Sequence, residues 1–190
     1  MTTYLPTGNH EEPENKELAS ATADLDAADR IAPKQADDRF TLARLYQNAD
    51  RMERALVQYD FWISNHPDDS KMARALNGRC WVRASMGQDL AAALSDCNAA
   101  LRRSDNSSPV AVSILNDRGF VRLRLGDYDK AIADFDASLK LAPNSAWPLF
   151  GRGVAEVRKK KAAQGEADIS QAKMLSTTVA GEFQRRAIEP

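Results

Sequence analysis

One stretch of 34 residues, 112–145, sets the strongest constraint on how this chain folds. It reads VSILNDRGFVRLRLGDYDKAIADFDASLKLAPNS, two apolar-periodic segments separated by Gly126, Asp127 and Tyr128. Each segment fits one short amphipathic helix, and Pro143 ends the second one. A helical hairpin of this length cannot bury its apolar face alone, so the pattern predicts neighbouring hairpins that pack against it.

Similar residues recur at fixed offsets from this stretch along most of the chain. Small residues occupy the places of Gly119 and Ala131, and bulky ones the place of Phe135, since closely crossing helices need small residues at the contact. The recurring sets are Ala55, Tyr59 and Pro67; Gly153, Gly165 and Ile169; and Ala21, Leu25 and Pro33. The pattern resembles the tetratricopeptide repeat of bacterial-type proteins, a helix-turn-helix unit of 34 residues.

The resemblance implies an all-α fold, an α-solenoid of stacked helix-turn-helix hairpins with about four repeats plus terminal helices. The expected divisions are a flexible tail at 1–15, a repeat array at 17–178 and a C-terminal capping segment at 179–190. The array divides into a half unit at 17–33 and repeats at 36–69, 73–107, 112–145 and 146–176. In the capping segment, we expect Phe183 and Ile188 to face inward and Arg185 and Arg186 to face outward.

The composition is that of a water-soluble globular protein. Of the 190 residues, 43% are apolar and 28% charged, and the formal net charge is -1. No apolar stretch approaches the roughly 18 residues that a membrane span needs. The near-neutral charge argues against nucleic acid as a partner. The first residues lack the basic and apolar regions of a secretory signal, so we expect a cytoplasmic protein, or a periplasmic or exported one if the natural N-terminus is longer.

The sequence shows no constellation of residues that would carry catalysis. His10 and His66 lie far apart and lack metal-ligand spacing, and neither a phosphate-binding glycine loop nor a nucleophile motif is present. The aspartates stand near Lys or Arg at positions typical of a solvated face. We therefore expect a non-catalytic protein without a cofactor or a metal ion.

Two cysteines occupy inward-facing places of the second repeat. Cys80 takes the place of Gly119, and Cys97 that of Phe135, so their sulfurs are expected to lie close together. Free cysteines are common core residues, which favours two buried thiols. A disulfide is the alternative, because the redox state depends on the compartment.

In the family, the first helices of the repeats line a concave groove that binds partner segments. Transferred place by place, the predicted partner-binding residues are Phe40, Arg44, Asn77, Trp81, Asn116, Phe120, Arg124, Trp147, Phe150 and Arg158. Asn48, Arg74 and Val154 occupy equivalent places. The Lys and Asn places of the carboxylate clamp, with which some members hold chaperone tails, are instead occupied by Phe40, Arg44, Gly78 and Ser113.

The charge distribution suggests what the groove binds. The four first-helix windows, 36–49, 73–86, 112–125 and 146–159, hold 11 Lys/Arg against 4 Asp/Glu. Arginine grips carboxylates and aromatic side chains add apolar contact, so we expect an extended acidic peptide as the partner. Alternatively, the arginines only solubilise this face while the aromatics pack between repeats. A self-associating assembly domain is the second hypothesis for function, and RNA binding along the groove is the third.

Overall fold

The structure, a computed structural model, describes residues 11–105 and 107–189. This part of the chain forms ten helices and no strand, which confirms the all-α prediction. The helices are α1 (Glu11–Ile31), α2 (Asp38–Asn48), α3 (Met52–Asn65), α4 (Met72–Met86), α5 (Leu90–Arg102), α6 (Pro109–Arg124), α7 (Tyr128–Leu141), α8 (Ala146–Arg158), α9 (Ala162–Leu175) and α10 (Val179–Gln184). None of these helices combines the length and the apolar character that crossing a bilayer requires.

Consecutive helices pack as hairpins, and the hairpins stack. Helices α2 and α3, α4 and α5, α6 and α7, and α8 and α9 form four pairs, and each pair also contacts the next. Helix α1 packs on α2, as a half unit would. It begins at Glu11, inside the stretch 1–15 that the sequence predicts to be a tail, and residues 1–10 lie outside the described part.

Small residues lie where the two helices of a hairpin approach most closely. A Cβ atom added at Gly119 would lie 2.8 Å from the ring of Phe135, which is fully buried. In the last hairpin, a Cβ atom at Gly153 would lie 2.6 Å from the carbonyl oxygen of Gly165. The residues that define the repeat pattern therefore meet in space at the crossings.

A buried arginine–aspartate pair recurs inside three of the hairpins. The pairs are Arg79 with Asp96, Arg118 with Asp134, and Arg152 with Asp168. Each arginine donates two hydrogen bonds to one carboxylate, at 2.6–3.0 Å. The three aspartates are 9% exposed or less, so the expected solvated face is wrong for them.

The same three arginines also contact the preceding hairpin. Their partners there are Asp60 for Arg79, Asn98 for Arg118 and Asp136 for Arg152, at 2.7–3.0 Å. The first repeat has Leu42 at the equivalent place, and Arg39 instead donates to Asp29 of α1 and Gln58 of α3. Because each guanidinium joins two hairpins, the pairs couple the stability of neighbouring repeats.

The second hairpin is also linked covalently. Cys80 in α4 and Cys97 in α5 are fully buried, and they are joined as a disulfide with their Cα atoms 5.5 Å apart. That separation is within the range that a disulfide needs. The two sulfurs are thus bonded where the sequence favoured two buried thiols, because both places face the interior of one hairpin.

Candidate functional site

The first helices of the four hairpins line one face of the array, called the concave face below. Helix α4 contacts both α2 and α6, and α6 contacts α8, so the four helices lie side by side. Two pockets of about 560 and 400 Å³ open on this face. All ten predicted partner-binding residues belong to these four helices.

Residues 179–189, called the C-terminal segment below, occupy much of the concave face. Phe183 is fully buried there. Its ring centroid lies 4.2 Å from that of Trp147, 4.8 Å from that of Phe150 and 5.7 Å from that of Phe120. Three of the aromatic residues predicted to bind a partner therefore contact the chain's own C-terminal segment.

The two adjacent arginines of the C-terminal segment have different environments. The guanidinium of Arg186 lies 4.8 Å from the ring centroid of Trp81 and 5.8 Å from that of Trp147, a cation–π arrangement. Arg186 is half-buried, whereas Arg185 is exposed. The outward orientation predicted for both thus fails for Arg186, because the indole rings of α4 and α8 offer its cation a favourable site. Ile188 is buried, as predicted.

Two predicted groove arginines hold the main chain of the C-terminal segment. Arg124 donates to the carbonyl oxygens of Arg186 at 3.1 Å and of Ala84, at the end of α4, at 2.9 Å. Arg158 donates to the carbonyl oxygen of Glu189 at 2.8 Å. Because these bonds reach main-chain carbonyls, they would be available to any peptide in the same place.

The remaining predicted residues lie nearer the N-terminal end of the concave face. Phe40, Arg44 and Asn77 line the 400 Å³ pocket, called the open pocket below. Asn116 is half-buried, and its Oδ1 atom has no hydrogen-bond partner among the described residues. The structure thus divides the predicted site into an open part and a part covered by the C-terminal segment.

Comparison with known proteins agrees with this architecture. The tetratricopeptide repeat family matches residues 112–145, the third hairpin. The other hairpins have the same fold and stack on it. Residues 112–145 are thus a tetratricopeptide repeat, and the hairpins on either side share its helix-turn-helix fold. Proteins built from this repeat serve as protein-interaction modules.

One relative and two solved structures show how widely the likeness extends. The Protein SGT1 homolog of Bos taurus is 29% identical over 99 residues, which cover 52% of this chain and 28% of that protein. The crystal structure of MamA superposes with a TM-score of 0.64 at 15% identity, covering 90% of this chain and 89% of MamA. A MamA fragment from Desulfovibrio magneticus RS-1, residue 41 to the end, has a TM-score of 0.60 at 17% identity, covering 83% and 88%. At these identities, the MamA structures support the fold.

Most of the basic residues in the first helices are paired with aspartates, so they do not supply free positive charge to the concave face. Seven of the 11 Lys/Arg in the four windows form ion pairs with aspartates of other helices. These seven are Arg39, Arg79, Arg83, Arg118, Arg122, Arg152 and Lys159. The four others are Arg44, Arg74, Arg124 and Arg158. The acidic-peptide hypothesis therefore depends on four arginines and not on the whole balance.

An aspartate joins two of the helices that line the concave face. Asp117 of α6 accepts a hydrogen bond from Nδ2 of Asn77 in α4, at 2.8 Å. Burial raises the pKa of Asp117 to about 7, against the opposing effects of this hydrogen bond and of the Arg186 charge. Asp117 was not predicted to be a functional residue, because a single aspartate in a helix is most often exposed to solvent.

The raised pKa of Asp117 predicts a pH-dependent stability. The folded chain keeps a proton that the unfolded chain releases near pH 4, so the free energy of unfolding falls as pH rises from about 4 to about 7. Asp117→Asn should remove this loss and stabilise the protein at pH 8 by roughly 3 kcal/mol, with no gain at pH 4. Urea unfolding across this pH range measures both values. Asp68→Asn, at an exposed site, is the control, and equal pH profiles for parent and Asp117→Asn would contradict the prediction.

Proposed function

We propose that this chain is a non-catalytic interaction module whose open pocket binds an extended acidic segment of another protein. The observation that carries the proposal is a pair of arginines, Arg44 of α2 and Arg74 of α4, on the wall of this 400 Å³ pocket. Both side chains are exposed, and neither forms an ion pair or a hydrogen bond within residues 11–105 and 107–189 as the structure describes them.

The open pocket combines charge, apolar surface and amide groups. Pro109 and Val110 provide apolar surface. Phe40 and Tyr59 also line the pocket but are only 9% and 2% exposed, and the hydroxyl of Tyr59 donates to Oε1 of Gln47 at 2.8 Å. Asn48 and Asn77 add amide groups that suit the main chain of a peptide. Arginine binds carboxylates through two parallel hydrogen bonds, so a segment with spaced Asp or Glu and an apolar residue between them fits this lining.

Self-association is the second candidate function, and a specific surface favours it. At the N-terminal end of the array, Ile31 is 85% exposed beside a pocket of about 410 Å³. Ala28, Ala32 and Pro33 also line this pocket. An apolar end of a repeat stack is suited to packing against another repeat. Light scattering on a concentration series tests this role. A fraction of dimer that rises with protein concentration would support it.

Charge reversal in the open pocket tests the acidic-segment proposal. A fluorescein-labelled peptide of alternating Glu and Leu serves as the probe. Arg44→Glu combined with Arg74→Glu should weaken its binding about tenfold or more at low salt, because attraction becomes repulsion. The difference should shrink at high salt, since screening weakens exposed charge pairs. Fluorescence anisotropy measures the affinities.

A matched control separates local from general charge effects. Lys173→Glu reverses an exposed charge on α9, outside the open pocket, and should leave probe binding near the parent value. Equal binding by the parent and the double Arg variant at low salt would mean that these arginines only solubilise the surface.

A further inference from the structure

We infer that the C-terminal segment is an intramolecular ligand of the concave face, and that a segment of another protein with the same chemistry displaces it. That chemistry is an aromatic side chain, an arginine three residues later and an aliphatic residue two further on. In the chain itself these are Phe183, Arg186 and Ile188. The partner is thus a protein segment with this spacing.

The repeat array itself forms the surface to which the C-terminal segment binds. Trp81 of α4, Phe120 of α6 and Trp147 of α8 contact one another, with ring centroids 5.4–5.8 Å apart. These three rings come from three successive hairpins, so stacking of the repeats brings them together. Phe183 and Arg186 add an aromatic ring and a cation to this cluster. An incoming segment with the same two groups would meet the same surface.

Most polar contacts between the array and the C-terminal segment could also be made to a segment of another protein. Arg124 and Arg158 donate to main-chain carbonyls of residues 186 and 189, which every peptide carries. The positive charge of Arg186 lowers the pKa of Asp117, so the ionised carboxylate would also favour a basic side chain of another segment at this place. Specificity would therefore come from the aromatic and basic side chains, and main-chain bonds would fix the direction of the peptide.

The C-terminal segment is held imperfectly, which allows it to be displaced. Its helix α10 has only six residues. Ala187, just after the helix, has φ +56°, a left-handed conformation that disfavours residues other than glycine. Nε of Arg186 is buried and has no hydrogen-bond partner among the described residues. Each of these features works against the docked state, so a segment without them would compete well.

Displacement would enlarge the open part of the concave face. The 560 Å³ pocket lies between α2 and the C-terminal segment, and Trp81, Ser85 and Arg186 are part of its lining. Asn48 lines both this pocket and the open pocket. Release of the segment would join the open pocket to the aromatic cluster in one groove from α2 to α8. The inference is independent of the acidic-segment site, because Arg44 and Arg74 line a pocket to which the C-terminal segment contributes no residue.

A peptide of residues 179–189, labelled with fluorescein, is the probe, and full-length proteins are the receptors. Phe183→Ala and Arg186→Ala weaken the internal segment, so both variants should bind the probe about tenfold or more tightly than the parent does, because a larger fraction of their grooves is free. Arg185→Ala is the matched control, because this neighbouring arginine is exposed, and should bind like the parent. A probe with alanine at the Phe183 position should bind none of the proteins.

The results that support the inference differ from those that overturn it. Tighter probe binding by Phe183→Ala and Arg186→Ala, with faster amide hydrogen exchange in residues 179–189, supports the inference. Equal affinity of all four proteins, or no binding by any, overturns it. Loss of the helical circular dichroism signal in both variants would also overturn it, because the segment would then be an integral part of the core. The probe does not depend on Arg44 or Arg74, so failure here leaves the acidic-segment proposal standing.

Discussion

Replacing Asp134 with alanine is expected to destabilise the protein by about 3–5 kcal/mol, although this residue is far from any chain end. Asp134 is 3% exposed and pairs with two arginines of α6, Arg118 and Arg122, each at 2.6 Å. Removing the carboxylate leaves two largely buried guanidinium groups without a counter-charge. Chemical denaturation measures the change, and the midpoint should fall strongly.

Asp129 provides the control on the same helix. Its side chain is 79% exposed and pairs with Lys159, so Asp129→Ala should change the free energy of unfolding by about 1 kcal/mol or less. A similar loss in both variants would show that the arginine–aspartate pairs inside the hairpins contribute no more than surface ion pairs do.

Gly153→Ala should destabilise the last hairpin by about 3 kcal/mol, the upper part of the usual range for overpacking. The added methyl group would lie 2.6 Å from the carbonyl oxygen of Gly165 and 2.8 Å from Cγ1 of Ile169. The oxygen belongs to the backbone of α9, so the two helices would have to separate. Thermal unfolding should therefore begin at a lower temperature.

Gly181→Ala tests whether the loss of stability in Gly153→Ala arises from steric contact with the added methyl group. At Gly181 the nearest atom to an added Cβ would be 3.8 Å away, in ordinary contact distance. Since alanine favours helix by about 1 kcal/mol over glycine, this variant should be as stable as the parent or slightly more so. If Gly153→Ala were equally harmless, the close approach of α8 and α9 would not limit stability.

The repeat architecture was predictable because the spacing of small and bulky residues resembles that of the tetratricopeptide repeat, whose hairpins stack. Gly119, Ala131 and Phe135 recur in register, and hairpin packing imposes that register directly on the sequence. The arginine–aspartate pairs also leave a signal in the sequence. Arg79, Arg118 and Arg152 occupy one place of the repeat, and Asp96, Asp134 and Asp168 another. The net charge of a single helix does not reveal the pairing, because each pair joins two helices.

The covering of the concave face could not be predicted in the same way. Residues 179–189 follow no repeat register, so nothing in their spacing indicates which surface they contact. The sequence predicts that the side chain of Phe183 faces inward, but an apolar residue does not by itself indicate which residues it packs against. The two tryptophans that receive Arg186 lie in different hairpins, and only the stacked array brings them together.

The C-terminal segment changes the topology of an otherwise local fold. In a linear repeat array, each unit contacts its neighbours only, and unfolding can start at either end. Here Arg124 holds the carbonyl of a residue 62 positions later, and Arg186 reaches back to Trp81 in the second hairpin. These contacts raise the contact order and close the array into a loop. Fraying from the C-terminal end must therefore first open that loop, which ties the last hairpin to the middle of the molecule.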